Sequence, residues 1–221
     1  MPVLWAGMSP AKRAGKKPVM QTAGRRYSGG GMPVLRAAGC RPTWRGYYMR
    51  LFIALNFSPE VRLGLRALRD ELRSLSSRGN FTTDDNLHLT LAFLGECGAM
   101  QADRAIEALD AADFEPLDIW IERVGRFRRD GGGGDIWWAG VRDNKLLSSV
   151  QGALTDRLSS AGFALDKRRY SPHITLGREV IAKAAPWSIE PFGETVRKID
   201  LMKSERINGK LSYSSIYAVE K

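Results

Sequence analysis

The chain has 221 residues, 43% hydrophobic and 26% charged, which suits one large soluble domain or two small lobes sharing a core. Its apolar runs are strand-sized, far short of the roughly 20 residues that a membrane span needs, and two cysteines, Cys40 and Cys97, exclude a disulfide framework. The net charge of +10 suggests a nucleic-acid partner until it is divided: residues 1–48 hold nine Lys/Arg and no acid, leaving 34 − 9 = 25 basic against 24 acidic residues in 49–221. Any RNA preference of that nearly neutral part must come from a local groove rather than a global field.

Residues 1–48, with eight glycines, five prolines and no apolar period, are expected to be a basic, disordered extension. An acid-free basic segment is also what an organellar address looks like, but the Gly and Pro content opposes the amphipathic helix such an address needs. A second reading takes Met49 as the true start. From there the pattern sharpens. "RLFIALNF" reads as a buried strand. Ser58 and Pro59 open a helix as N-cap and first helical residue, with Val61, Leu65, Leu68, Leu72 and Leu75 on one face and Gly79 as its stop. "NLHLTLAFLG" (86–95) is a strand, and "AMQADRAIEALDAA" is a helix with Ala102, Ile106 and Leu109 inward. "PLDIWIERVGRF" and "DIWWAGVR" are strands joined by "RRDGGGGD". "NKLLSSVQGALTDRLSSAG" is a second long helix, with Leu147, Val150, Leu154 and Leu158 inward. "PHITLGREV" is a strand, and "TVRKIDLMKSER" with "KLSYSSIYAVEK" closes the chain as a hairpin about Asn208-Gly209. Three helices among about seven strands indicate an α+β domain with mostly antiparallel pairing. A long helix precedes each of two His-x-Thr strands, so the domain reads as two related halves.

The chain's two histidines, His88 and His173, both begin the phrase His-(Leu/Ile)-Thr-Leu. Threonine is 8 of 221 residues, so Thr falling two positions after both by accident has a chance of (8/221)², roughly 1 in 760. Side chains alternate along a strand. In the first phrase Leu87, Leu89, Leu91 and Phe93 share the face expected to pack against helices, opposite His88, Thr90 and Ala92. In the second, Pro172, Ile174 and Leu176 oppose His173, Thr175 and Gly177. Each polar face presents an imidazole and a hydroxyl about 7 Å apart, followed by a small residue that leaves room for a ligand. If the halves face each other, two imidazoles and two hydroxyls converge. That set suits phosphodiester chemistry. A neutral imidazole takes a proton from water, an imidazolium gives one to the leaving oxygen, and the hydroxyls donate to phosphate oxygens. No metal is required, and two histidines without further ligands are thin for zinc.

The phrases "HLTLAFLG" and "SPHITLGR", with "MRLFIAL" as opening strand and "IWWAGV" between them, resemble the 2H phosphoesterase superfamily. Within it they resemble the bacterial and archaeal RNA 2′,3′-cyclic phosphodiesterases, also called 2′-5′ RNA ligases. The resemblance covers about 49–221 and implies a bilobed, pseudo-two-fold α+β fold. Two mostly antiparallel sheets would carry helices on the outside and enclose a central cleft. It implies hydrolysis of RNA 2′,3′-cyclic phosphate ends to 2′-phosphomonoesters, weak reversible 2′-5′ joining, and no nucleotide or metal cofactor. It assigns the proton donor to His88, the acceptor to His173 and phosphate contacts to Thr90 and Thr175. "Thr-Leu-x-Arg" is frequent in the family, which makes Arg178 a candidate phosphate contact beside its reading as a surface strand-end arginine. The corresponding setting is a cytoplasmic monomer acting on RNA ends, away from membranes.

Other residues carry weaker signals. Trp137 and Trp138 point to opposite faces, so at most one lines the cleft, and core packing is the expectation for either. Gly131 to Gly134 reads as a flexible hairpin tip, because no Gly-Lys-(Ser/Thr) follows. Lys167, Arg168 and Arg169 read as a solvated loop or a local basic rim, and Cys97 as a small packing residue. Two rival functions remain at this stage: a module that grips RNA ends without turnover, and a 2H phosphodiesterase acting on another 2′,5′-linked or cyclic nucleotide.

Overall fold

The computed structural model describes residues 48–221; the expected extension lies, apart from Tyr48, outside the described residues. In chain order the elements are β1 (Met49–Leu55), α1 (Pro59–Ser74), β2 (Ser76–Phe81), a 3-10 turn (Asp84–Asn86), β3 (Leu89–Cys97) and α2 (Ala99–Asp110). There follow β4 (Leu117–Phe127), β5 (Asp135–Val141), α3 (Lys145–Ser160), β6 (His173–Ala182), β7 (Trp187–Val196), β8 (Lys198–Ile207) and β9 (Lys210–Glu220).

These strands form two wholly antiparallel sheets, one ordered β3-β1-β8-β9 and the other β2-β6-β5-β4-β7. Each motif strand lies beside the strand that precedes a long helix: β3 beside β1, and β6 beside β5. The expected two-fold relation of halves is thus visible in the strand order. The halves are interleaved, however. β2, from the first half, extends the five-stranded sheet, and the C-terminal hairpin β8–β9 completes the four-stranded one. Helix α1 packs on β6 and β7 of the sheet opposite its own motif strand, whereas α2 packs on β3, β8 and β9. Helix α3 packs on α2 and β3.

Helix α1 begins as its sequence dictates. The Ser58 hydroxyl accepts from the Val61 N–H at 3.3 Å, and Pro59 occupies the first turn. Its buried Val61, Leu65, Leu68 and Leu72 each contribute about 1.5–3 kcal/mol on removal from water. The helix ends at Ser74, not at Gly79. The Ser74 and Ser76 hydroxyls donate back to the carbonyls of Glu71 and Leu72, competing with helix continuation, and 76–81 instead pairs with the edge of β6. Strand β7 is a second element absent from the sequence pattern. It contains Pro191 and Gly193, and it sits at a sheet edge, where proline is tolerated. The segment read as one strand over 195–206 is two. Thr195 and Val196 pair with β4, and after Arg197 the chain enters the other sheet, where Leu201 pairs with Ile53.

Strand β1 is apolar on both faces for two reasons. Leu51, Ile53 and Leu55 enter the main core with the helices, while Phe52 and Ala54 join Met202 and Tyr213 in a small cluster on the opposite face. That opposite face carries His88.

Candidate active site

The two motif strands approach within 8 Å, Cα to Cα. Side chains lash them together with a matched pair of hydrogen bonds. The Tyr170 hydroxyl, from the approach to β6, donates to the Thr90 carbonyl at 3.1 Å. The Thr82 hydroxyl, from the approach to β3, donates to the Thr175 carbonyl at 2.8 Å. Each motif threonine therefore has its backbone held by a residue leading into the other motif.

The imidazoles are fixed in the same way. His88 Nδ1 lies 2.7 Å from the Asn86 carbonyl, and His173 Nδ1 lies 2.7 Å from the Ser171 carbonyl. A carbonyl carries no proton, so Nδ1 must donate in both rings, which leaves Nε2 as the basic nitrogen of the neutral form. His88 Nε2 is 3.0 Å from Thr90 Oγ1. Among the described residues, His173 Nε2 has no hydrogen-bond partner. Aromatic rings flank each imidazole. Phe52 and Tyr213 stand 4.9 and 5.2 Å from His88, and Phe127 and Trp138 stand 5.0 and 6.4 Å from His173, centroid to centroid.

Burial holds His88 below the ordinary imidazole value; the Asn86 carbonyl opposes it, and the nearby Arg178 and His173 charges add to the lowering. His173 is lowered by burial too, opposed by the Ser171 carbonyl and reinforced by Arg178. Arg178 also acts on the Tyr213 phenol, which burial raises. One guanidinium thus bears on groups from both halves. Arg178 is exposed and forms no ion pair with a described residue. An exposed cation that bears on two imidazoles makes a site for an anion. The structure therefore brings His88, Thr90, His173, Thr175 and Arg178 into one neighbourhood.

The placement of Arg178, and that of Phe93, depends on β-bulges. In β3, Thr90 pairs with Ala54 and Ala92 with Ile53, so Leu91 is an extra residue. In β6, Thr175 pairs with Trp138 and Gly177 with Trp137, so Leu176 is extra. A second irregularity follows, where Glu179 adopts φ +55°. A bulge shifts the alternation of faces. It carries Arg178 to the site although strict alternation would set it with Leu176. It likewise overturns the expectation for Phe93, which is 62% exposed rather than packed in the core.

The residues with this geometry also match known proteins. The family profile described as LigT like Phosphoesterase matches residues 55–138, a span that includes the first motif. A protein of Archaeoglobus fulgidus named RNA 2′,3′-cyclic phosphodiesterase is 33% identical over 163 residues, covering 71% of this chain and 91% of that protein. The chain belongs to the LigT-like phosphoesterases of the 2H superfamily. A second relative, from Escherichia coli K12 and also named RNA 2′,3′-cyclic phosphodiesterase, is 30% identical and is covered over 72% of its length. The crystal structure of E. coli LigT complexed with 3′-AMP has the same fold, with a TM-score of 0.68 at 22% identity over 79% of this chain and 98% of that one.

Several neighbours of the histidines in this LigT-like phosphoesterase carry no motif of their own. Asn86 is buried, and beyond its carbonyl bond to His88 its side chain donates to the Leu211 carbonyl at 2.9 Å and accepts from the Tyr213 N–H at 3.2 Å. It ties the histidine turn to β9. Arg69, buried on α1, donates to the Thr82 carbonyl at 2.9 Å and pairs with Asp84, holding the same turn from the other side. Trp137 is fully buried, as expected, but Trp138 stands on the site face against His173. Arg168 pairs with Asp166 in an exposed loop. Cys97 is buried, and burial pushes its thiol up to about 11, as suits a packing residue. Among the described residues there is no cluster of three or more His, Cys, Asp or Glu able to hold a metal, and no helix is long and apolar enough to cross a membrane.

Proposed function

We propose that residues 49–221 form an RNA 2′,3′-cyclic phosphodiesterase domain, acting as a cytoplasmic monomer on RNA ends without a metal. Water attacks the phosphorus of the five-membered cyclic ester as His173 Nε2 takes its proton. The bond from phosphorus to the 3′-oxygen breaks, and His88, as imidazolium, protonates that oxygen. The products are a 2′-phosphomonoester and a free 3′-hydroxyl. Thr90, Thr175 and Arg178 hold the non-bridging oxygens, where negative charge grows. With a 5′-hydroxyl in place of water, the same step joins two RNA ends through a 2′-5′ linkage. Donor and acceptor are assigned by family resemblance; the open Nε2 of His173 suits the ring that must receive a proton from an incoming nucleophile.

The observation that carries this reading is the matched pair of imidazoles, each held by Nδ1 at 2.7 Å from a backbone carbonyl with Nε2 left for proton transfer, beside Arg178, an exposed cation with no ion pair among the described residues. Bound phosphate would offset that cation, raise both imidazoles and favour the protonated donor that the free site disfavours. The names of the relatives point to the same substrate. The test is a short RNA ending in a 2′,3′-cyclic phosphate, incubated with the protein in EDTA, with the product isomer identified. A 2′-phosphate at an undiminished rate is expected. A 3′-phosphate would mean the opposite ester bond is cut, and loss of activity in EDTA would overturn the metal-free mechanism. Tight end-binding without turnover, unchanged when both histidines are alanine, would make the domain a binding module instead.

A further inference from the structure

The carbonyls at the two bulges are satisfied in matching ways. In β3 the Tyr170 hydroxyl donates to the Thr90 carbonyl at 3.1 Å, and the Gln151 side chain, from α3, donates to the carbonyl of the extra residue, Leu91, at 3.2 Å. In β6 Thr82 serves both places. Its hydroxyl donates to the Thr175 carbonyl at 2.8 Å, and its N–H donates to the carbonyl of the extra residue, Leu176, at 2.9 Å. Each capture has a topological cause. β3 is an edge strand with β1 on one side alone, and the β2–β6 ladder ends where Phe81 pairs with Gly177, short of the motif. A buried main-chain carbonyl beyond a ladder needs another donor. For each motif threonine that donor comes from the segment leading into the opposite motif: Tyr170 precedes His173, and Thr82 precedes His88. Both donors are themselves held. Burial raises the Tyr170 phenol, so it keeps the proton it donates. Arg69, buried on α1, donates to the Thr82 carbonyl at 2.9 Å.

We propose that the Tyr170 and Thr82 hydroxyls are positioning groups for the two-histidine reaction, a reciprocal latch that keeps the motif strands at the separation from which both imidazoles meet one phosphorus atom. The inference rests on the cyclic-phosphodiesterase reading for its substrate. The bonds from Asn86 to His88 and from Ser171 to His173 are local, and they fix the aim of each ring without fixing the distance between the rings. β3 and β6 belong to different sheets, so no ladder bond joins them. The two hydroxyls stand in for that ladder. Each ties the threonine that follows one histidine to the segment that precedes the other, so a shift of one strand is transmitted to both motifs. An acid and a base carried on separate sheets need such a tie, because a misplacement of about 1 Å lowers a rate by about 100-fold.

The test uses the untagged full chain, in which His88 and His173 are the only histidines and their ring signals report on the site alone. Tyr170→Phe and Thr82→Val each remove one hydroxyl and nearly keep the shape; Thr82→Ser keeps the hydroxyl. On adenosine 2′,3′-cyclic phosphate the first two are each expected to lower kcat about 10- to 100-fold. KM should move far less, because Arg178 still draws the anion, and Thr82→Ser should keep the wild-type kcat. Proton NMR gives a readout apart from activity. Inorganic phosphate is expected to shift both imidazole signals of the wild type together. In Tyr170→Phe or Thr82→Val the His173 signal, on the strand of Arg178, should still respond, and the His88 signal should not. Should one variant fail to fold, the other carries the test, since each deletes a different bond. A lower melting temperature with wild-type kcat would make the hydroxyls structural alone and overturn the proposal. So would a loss of kcat with both signals still responding. If the wild type cleaves no cyclic phosphate, the activity reading falls and the NMR decides the latch alone. Phosphate that reaches both rings of the wild type and one ring of the variants upholds it; phosphate that moves neither ring of the wild type removes it.

Discussion

Each imidazole donates its Nδ1 proton to the carbonyl two residues back, so neither ring can turn without losing a 2.7 Å hydrogen bond. Held in this way, each ring presents Nε2 for proton transfer. Replacing His88 or His173 with Ala is expected to reduce kcat on a cyclic-phosphate substrate by about 10²–10⁴-fold each, the usual worth of positioned acid–base catalysis. The double variant should fall by far less than the product of the two, because the rings act on one step. The pH profile follows from the lowered imidazoles. Cleavage needs one ring neutral and one protonated, and burial holds both below the ordinary imidazole value. kcat/KM should therefore peak on the acid side of the ordinary imidazole value and fall as rising pH strips the donor of its proton. Arg178→Gln removes a charge that disfavours both imidazolium forms. It should move the peak to higher pH while lowering kcat/KM about 10- to 100-fold through loss of a charge-assisted phosphate contact. A profile that stays in place would show that Arg178 does not act on the rings. The histidines and threonines were legible because a chain with two histidines repeats one phrase around both. Arg178 was legible only through resemblance, and Phe93 was misplaced. Both lie beyond a bulge, and a bulge leaves no mark on the alternation of residue types until register is known.

At the scale of elements, the site depends on close approach between strands. Gly125 pairs with Trp138, and a Cβ on Gly125 would come within 2.2 Å of the Trp138 ring. Gly125→Ala is therefore expected to push Trp138 against Phe127 and His173, lowering kcat more than thermal stability; an assay beside a melting curve checks this. Asn86→Ala should cost about 1–3 kcal/mol in chemical denaturation, because it strands a backbone N–H and a carbonyl of β9. It should lower activity as well, since the same turn aims His88. The three helices and most strands followed from apolar spacing and, for α1, from capping by Ser58. β2 and β7 did not, because neither is specified by its own residues. "SSRGNF" is polar and "WSIEPFGETV" is interrupted by Pro191 and Gly193. Each becomes a strand because a neighbour presents an unpaired edge, which is a tertiary cause that a local pattern does not contain.

At the scale of the molecule, every described element lies between Met49 and Glu220. A chain begun at Met49 is accordingly expected to keep wild-type kcat/KM on a dinucleotide-sized cyclic phosphate; a large loss would assign residues 1–48 a part in the site. The α+β class and antiparallel pairing were readable from element order. The exchange of strands between halves was not, because hydrophobic pattern says which face is buried and nothing about which sheet receives it.

That exchange has a consequence for synthesis. β1 leaves the ribosome first among the described elements, yet the strand that covers its second edge, β8, begins at Lys198. Until the chain as far as β8 has emerged, the nascent β1 shows an open, apolar border of the kind that recruits other chains. A product truncated after Val196 should collect in inclusion bodies rather than persist as a half-active lobe. The enzyme cannot be assembled in instalments.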